Sequence, residues 1–83
     1  MNGRVIVDFA LVEGAMIRML GLVERRGFRV RGLEMRQEGA SGCVTLEVEA
    51  RDPGRRLDVL DLQLRRLSEV RKVFLFPASM SAQ

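Results

Sequence analysis

Apolar residues of this chain repeat at two different spacings, and the order of these spacings along the sequence restricts the fold more than any other feature. Val5, Val7 and Phe9 occupy every second position, which is the period of a strand with one buried face. Apolar residues then recur three or four positions apart, as in an amphipathic helix: Met16, Met19, Leu20 and Val23. We therefore predict a strand, β1, over residues 4–9 and a helix, α1, over residues 14–26.

The next apolar residues predict a hairpin. Phe28 and Val30 form one alternating apolar pair. The next pair, Leu33 and Met35, falls one residue out of phase with the first, and Gly32 lies at the break. A phase change at a glycine is typical of a β-bulge, so we predict a kinked strand, β2, over residues 28–38. Turn residues at 39–42 follow, and alternation resumes in a third strand, β3, at Val44, Leu46 and Val48.

A second helix and a fourth strand complete the pattern. Asp52 is a candidate helix cap and Pro53 suits a first turn, so we predict helix α2 from there to near Ser68. Its apolar stripe consists of Leu57, Leu60, Leu64 and Leu67. Strand β4 is predicted to end at Pro77 and contains three further apolar residues: Val70, Val73 and Leu75. Residues 78–83 are expected to form a flexible tail.

The predicted order is β-α-β-β-α-β, which defines an α+β domain of ferredoxin-like type over residues 1–77. Both amphipathic helices need an apolar surface to cover, and a four-stranded antiparallel sheet with two helices on one face provides it. Right-handed crossovers then place β1 and β3 in the centre and leave β2 and β4 at the edges.

Composition disfavours several classes of enzyme. The chain has no His and no Trp, so the commonest general base and metal ligand are missing. A single cysteine, Cys43, cannot form an intrachain disulfide, and it has no neighbouring His or second Cys that would favour a reactive thiol over a small strand residue. No targeting segment or membrane-spanning run is apparent, so we expect a cytoplasmic protein that needs no metal or cofactor of its own.

The net charge of +3 permits nucleic-acid binding, but the charges alternate in sign along the chain instead of forming a basic stripe. Phe74 and Phe76 are predicted on the open face of β4, and RNA-recognition domains use aromatic residues on such a sheet. Those domains place the aromatics on the central strands, where this chain has Ile6, Asp8, Thr45 and Glu47. We therefore expect no nucleic-acid partner, and a salt-dependent gel shift with single-stranded RNA would revive that alternative.

Carboxylates on the open face of β3 are better explained as solvated charges than as a catalytic pair or a cation site. Glu47 and Glu49 share that face with Thr45, and arginines on β2 can offset their charge across the sheet: Arg29, Arg31 and Arg36.

Several apolar residues fall outside the predicted core and form a candidate partner surface. Three of them lie off the helical stripes and two on the open face of β4: Ile17, Val59, Leu62, Phe74 and Phe76. Isolated surface hydrophobes are normal, but this number in a short chain favours a protein partner or self-association.

The loop before α1 is a candidate effector site. Gly14 at the start of a helix allows backbone N–H groups to approach a carboxylate or phosphate, and the helix dipole favours a negative ligand. The alternative is that Gly14 only relieves a tight turn. The candidate residues are Leu11, Val12, Glu13, Gly14, Ala15 and Met16.

Residues 14–35 resemble the ACT domain of acetolactate synthase small subunits. Their sequence is Gly-Ala-Met-Ile-Arg-Met-Leu-Gly-Leu-Val-Glu-Arg-Arg-Gly-Phe-Arg-Val-Arg-Gly-Leu-Glu-Met. In that family a glycine opens the helix, an Arg-Gly-aromatic step leads into β2, and the same out-of-phase apolar pairs follow. Residues 63–67, with Val70 and Val73, also match, especially the very short, single-domain small subunits. The resemblance extends from Val5 to Leu75.

The resemblance implies a non-catalytic regulatory subunit of branched-chain amino-acid biosynthesis. Its partner would be the catalytic large subunit, which would hold thiamine diphosphate, Mg and FAD. Two ACT domains would pair as a homodimer along β2, through Phe28, Val30, Gly32 and Leu33, and an amino-acid effector such as valine would bind between the loop before α1 and the neighbouring chain. An exposed strand edge supplies a physical reason for the pairing, because its N–H and C=O groups lack partners.

One residue departs from the family. Valine-sensitive relatives have an asparagine three residues before the helix-opening glycine, where this chain has Leu11. Loss of that hydrogen bond to a buried ligand costs about 1 to 3 kcal/mol, so weak or absent valine sensitivity is expected. The alternative function is a free-standing ACT amino-acid sensor that regulates another enzyme, and a gene neighbour encoding the large subunit would distinguish the two.

Overall fold

The computed structural model describes residues 2–77, and it contains the six predicted elements in the predicted order. The strands are β1 (Asn2–Ala10), β2 (Phe28–Glu38), β3 (Ser41–Ala50) and β4 (Val70–Pro77), and the helices are α1 (Ala15–Arg25) and α2 (Leu57–Arg65). The tail predicted over 78–83 lies outside the described residues.

The four strands form one antiparallel sheet in the order β2-β3-β1-β4. The central position of β1 and β3, and the edge position of β2 and β4, are therefore confirmed. Val5 shows the register, since it lies opposite Leu46 on one side and Leu75 on the other. The chain has the predicted α+β, ferredoxin-like fold.

A single apolar core fills the space between the sheet and the helices. Val5, Val7 and Phe9 of β1 are completely buried, as their alternation predicts. Buried residues of both helices belong to the same cluster: Ala15, Met19, Leu22, Val23, Leu57, Leu60 and Leu64. Full burial of one such side chain stabilises the fold by about 1.5 to 3 kcal/mol, so this layer is what holds the helices on the sheet.

The bulge in β2 is present at the predicted place. Val30 pairs with Val48 and Gly32 pairs with Glu47, so Arg31 is the extra residue of β2. The bulge brings Gly32 onto the open face, where a Cβ atom would lie 3.2 Å from Cγ of Glu47. The out-of-phase apolar pairs are therefore both kept on the core face.

The predicted boundaries of the β2–β3 turn and of α2 are wrong. The turn is limited to residues 39–40, because Ser41 and Gly42 already pair with β2. Helix α2 begins at Leu57 instead of near Asp52 and ends at Arg65, and its N-cap residue makes no side-chain capping hydrogen bond. The Asp52 carboxylate instead accepts a hydrogen bond of 3.1 Å from the Gly54 amide, which closes a local turn before the helix.

Gly21 lies in the middle of α1, and the fold does not require a glycine there. A Cβ atom at this position would contact only the end of the flexible Arg25 side chain, 3.3 Å from its Nη1. Glycine in a helix interior costs about 1 kcal/mol relative to alanine. The packing of the described residues therefore gives no compensation for Gly21.

Candidate functional site

The loop between β1 and α1 is held by backbone hydrogen bonds to neighbouring segments. The Leu11 amide donates to the carbonyl of Ala40 at 2.9 Å, so the β2–β3 turn supports one end of the loop. The Ala15 amide donates to the carbonyl of Val12 at 3.1 Å, which closes a turn at the other end. The loop is thus a defined structure between the edge of the sheet and the start of a helix.

Gly14 precedes α1 with a φ of 80°, in the left-handed region that favours glycine. This conformation accounts for the glycine without any ligand. Within the described residues, the amides of Met16 and Ile17 donate no hydrogen bond. A carboxylate bound at the start of the helix would accept hydrogen bonds from these two N–H groups.

The predicted effector residues do not all face solvent. Val12 and Glu13 are exposed, and Met16 is half-buried. Ala15 belongs to the core, so it can offer a ligand only its backbone. Leu11 is also half-buried and packs against the core beside Gly42, where an added Cβ would lie 3.2 Å from its Cδ2. The side chain of Leu11 is therefore part of the support beneath the loop.

An ion pair beside the loop was not predicted from the sequence. Arg18 Nε donates to Glu69 Oε2 at 2.8 Å, and Arg18 Nη2 donates to the Glu13 carbonyl at 3.1 Å. The backbone carbonyl of Glu69 accepts a further bond of 2.8 Å from the Ala10 amide. Residues on both sides of the loop are thus tied to one residue of the α2–β4 turn.

The Glu69 side chain is only 4% exposed, whereas Arg18 remains half exposed. Hydrogen bonding from Arg18 holds the pKa of the Glu69 carboxyl below its ordinary value, although burial opposes this shift. The one available signal in the sequence was a glutamate between a helix and a strand, next to apolar Val70. It is weak, since most glutamates in turns face solvent.

The predicted dimer edge is exposed only in part. Leu33 is 47% exposed on the core face of β2, beyond the cover of the helices. Val30 and Gly32 are half-buried. Phe28 is buried in the core, so it can contribute only its backbone to an edge contact.

The candidate partner residues are exposed as predicted, but they lie on two different faces. Ile17, Val59 and Leu62 lie on the outer surface of the helices and are 78%, 44% and 60% exposed. Phe74 and Phe76 lie on the open face of the sheet, opposite Ile6 and Arg4 of β1. One flat partner surface cannot cover both groups.

Two carboxylates on the open sheet face, Glu47 and Glu49, pair with arginines of the same face. Glu49 pairs with Arg31 at 2.7 Å and with Arg29 at 3.8 Å, as predicted, and the hydrogen bond from Arg31 lowers the pKa of Glu49. Glu47 pairs instead with Arg4 of β1, at 2.9 Å. Among residues 2–77, no cluster of three or more potential metal ligands occurs, and neither helix is long and apolar enough to cross a membrane.

The family model of the ACT domain matches residues 12–73, so the chain belongs to the ACT domain family. It is a regulatory domain, with the candidate effector loop before α1 at the start of the matched segment. No curated protein matches the sequence.

Solved structures share the same fold. An ACT domain protein from Streptococcus pneumoniae is 13% identical with a TM-score of 0.81, and the alignment covers 100% of this chain and 96% of that one. The ACT domain of a GTP pyrophosphokinase from Chlorobium tepidum is 13% identical with a TM-score of 0.76, over 92% and 97% of the two chains. An acetolactate synthase small subunit from Thermotoga maritima is 19% identical with a TM-score of 0.74, over 90% of this chain and 47% of that one.

Proposed function

We propose that this chain is a non-catalytic small subunit that binds and activates the catalytic subunit of acetolactate synthase. The observation that carries the proposal is the resemblance of residues 14–35 to that family, and the fold shared with the Thermotoga maritima small subunit supports it. Thiamine diphosphate, Mg and FAD belong to the catalytic subunit. This chain spans about half of the Thermotoga maritima protein, so that protein's assembly is not carried over as a whole.

Backbone geometry within the resembling segment supports the proposal. Gly14 starts α1 with a φ of 80°, and Gly27 leads into Phe28 with a φ of 91°. The bulge at Arg31 produces the out-of-phase apolar pairs. Each of these features of the resemblance thus has a definite structural role in the fold.

Activation requires no chemistry from this chain. A ligand shifts an equilibrium between two forms of its partner when it binds one form better than the other. The small subunit therefore needs only to prefer the active arrangement of the catalytic subunit. An isolated domain of this size also has a small core, which favours stabilisation by association.

We expect the chain to be a homodimer through β2. The edge strand leaves backbone groups without partners, and half-exposed Leu33 would lie near the two-fold axis of such a pair. Sedimentation at tens of micromolar should give the mass of a dimer, and Leu33→Lys should shift it toward the monomer. Phe74→Lys, which places the same charge at an equally exposed residue of the other edge strand, should leave the dimer intact. A wild-type monomer, or loss of the dimer only in Phe74→Lys, would refute pairing through β2.

Mixing the purified chain with its cognate catalytic subunit should raise acetolactate formation, with little inhibition by millimolar valine. Weak inhibition is expected because Leu11 provides no amide for the effector. Leu11→Asn should increase valine inhibition, although loss of a half-buried leucine from the core surface should cost about 1 to 2 kcal/mol of stability. Melting curves therefore have to accompany the activity assay.

The outcomes separate the proposal from its alternative. Unchanged activity on mixing would refute the acetolactate synthase partner and favour a free-standing ACT sensor of another enzyme. Strong valine inhibition of the wild type would refute only the role given to Leu11.

A further inference from the structure

The outer surface of the helices carries an apolar patch that no described part of the chain covers. Ile17 and Gly21 lie on the outer side of α1, one turn apart, and Val59 and Leu62 lie on the outer side of α2. The two helices contact each other, and Arg26, directly after α1, donates a hydrogen bond of 3.0 Å to Gln63 of α2. We call these four residues the helix-layer patch: Ile17, Gly21, Val59 and Leu62.

Gly21 leaves room for another chain to approach this patch closely. The glycine weakens α1, and its missing side chain opens space only on the outer surface, beside the Arg25 guanidinium. No residue among 2–77 fills that space. A glycine on a helix surface permits a partner's side chain or backbone to come nearer than any other residue would.

The charges around the patch favour an acidic partner. Arg25 and Arg66 have no carboxylate within salt-bridge distance among residues 2–77. The acids of α2 are already neutralised, because Asp58 pairs with Arg56 at 2.7 Å and Asp61 with Arg65 at 2.9 Å. Glu24 is the only acid of the two helices without such a pair in the described structure. The surface therefore offers an excess of unpaired guanidinium groups.

The open sheet face lacks this combination. Its carboxylates Glu47 and Glu49 are held by arginines of the same face. Phe74 and Phe76 are exposed there, but the surrounding charges are of both signs, since Asp8 and Glu34 lie on that face as well as Arg36 and Lys72. Covering that face would desolvate several ion pairs without providing new partners for them.

We propose that the helix-layer patch binds an acidic amphipathic helix of the catalytic subunit. Its apolar side chains, at helical spacing, would pack on Ile17, Val59 and Leu62 above Gly21, and its carboxylates would pair with Arg25 and Arg66. The inference rests on the proposed function and extends it, since it specifies which face of the domain the catalytic subunit contacts.

Gly21→Leu provides the decisive variant because it separates folding from binding. Leucine is a better helix former than glycine, so the melting temperature should rise by about 4 °C. The same side chain fills the space above α1, so affinity for the purified catalytic subunit, measured by isothermal titration calorimetry, should fall about tenfold or more. Weaker binding by a more stable protein cannot be attributed to misfolding.

Two further variants test the apolar and the charged parts of the surface. Leu62→Asp should weaken binding about tenfold or more, because it places a charge in the centre of the contact. The double variant Arg25→Glu, Arg66→Glu should weaken binding. Its affinity should also fall less than that of the wild type between about 50 mM and 300 mM NaCl, because salt screens the ion pairs that these arginines form with the partner. The matched control is Arg36→Glu, which reverses an exposed charge on the open face and should change affinity by less than about twofold.

The outcomes are distinct. If the wild type does not bind the catalytic subunit, the proposed function fails and the inference fails with it. If the wild type binds and all the helix variants bind equally well, the helix-layer patch is excluded while the proposed function stands. Lost binding in Phe76→Asp alone would assign the contact to the open face. The chain alone could also form a larger assembly that Gly21→Leu disrupts. That result would identify a second copy of the chain as the occupant of the helix-layer patch, against our proposal.

Discussion

Phe9→Ala is expected to lower the free energy of unfolding by about 3 to 5 kcal/mol, because the ring is completely buried and its removal leaves a cavity. A chain of this size has a total stability of only about 4 to 12 kcal/mol. The variant should therefore be largely unfolded at low urea concentrations. The ring also supports the candidate site, since a Cβ at Gly42 would lie 2.8 Å from Phe9 Cζ, beside Leu11.

Urea denaturation followed by circular dichroism measures this loss. Ile6→Ala is the matched control, because Ile6 is the neighbouring residue on the opposite face of β1 and is only partly buried. Ile6→Ala should lower the free energy of unfolding by about 1 kcal/mol. If Phe9→Ala destabilised the protein no more than Ile6→Ala, the assignment of the core to this face of the sheet would be wrong.

Glu69→Ala is expected to lower the free energy of unfolding by about 2 kcal/mol, because it removes a charged hydrogen bond from a nearly buried position. Half-exposed Arg18 can be hydrated when its partner is lost, which keeps the cost below that of a fully buried pair. The effect should be local as well as global. Amide hydrogen exchange in residues 10–14 should accelerate, because Glu69 ties both sides of this loop to the α2–β4 turn.

The same ion pair should make stability depend on pH in the acid range. The pKa of Glu69 is lowered by Arg18 in the folded state, so the unfolded chain takes up the proton more readily. The pair contributes fully above the ordinary glutamate pKa of about 4.3, and the contribution is lost as the pH falls through the lower folded-state value.

Glu69→Gln tests this dependence, because the amide retains the shape and cannot ionise. Its loss of stability relative to the wild type should be present at neutral pH and shrink in acid. The pKa values of Glu49 and Asp58 are also lowered by arginines, so a weaker acid dependence should persist in the variant. A difference between Glu69→Gln and wild type that stays constant down to acid pH would contradict the assigned role of the pair.

The sequence by itself determined the order and type of the elements, because each is coded by a local period. The alternation at Val5, Val7 and Phe9 depends only on which face of β1 meets the core, and the phase shift at Gly32 requires a bulge wherever the strand pairs. Gly14 was recognisable for the same reason, since a positive φ is a property of one residue.

Only the tertiary structure decided the features that join distant parts of the chain. Asp52 satisfies a local turn, and α2 begins later, because the start of the helix is set by packing of Leu57 into the core and not by the capping signal. Glu69 meets Arg18 across a separation of 51 residues, for which the sequence carries no period. The exposure of Leu33 on the core face of β2 likewise depends on how far the docked helices extend over the sheet, because local spacing shows which face a side chain occupies but not whether that part of the face is covered.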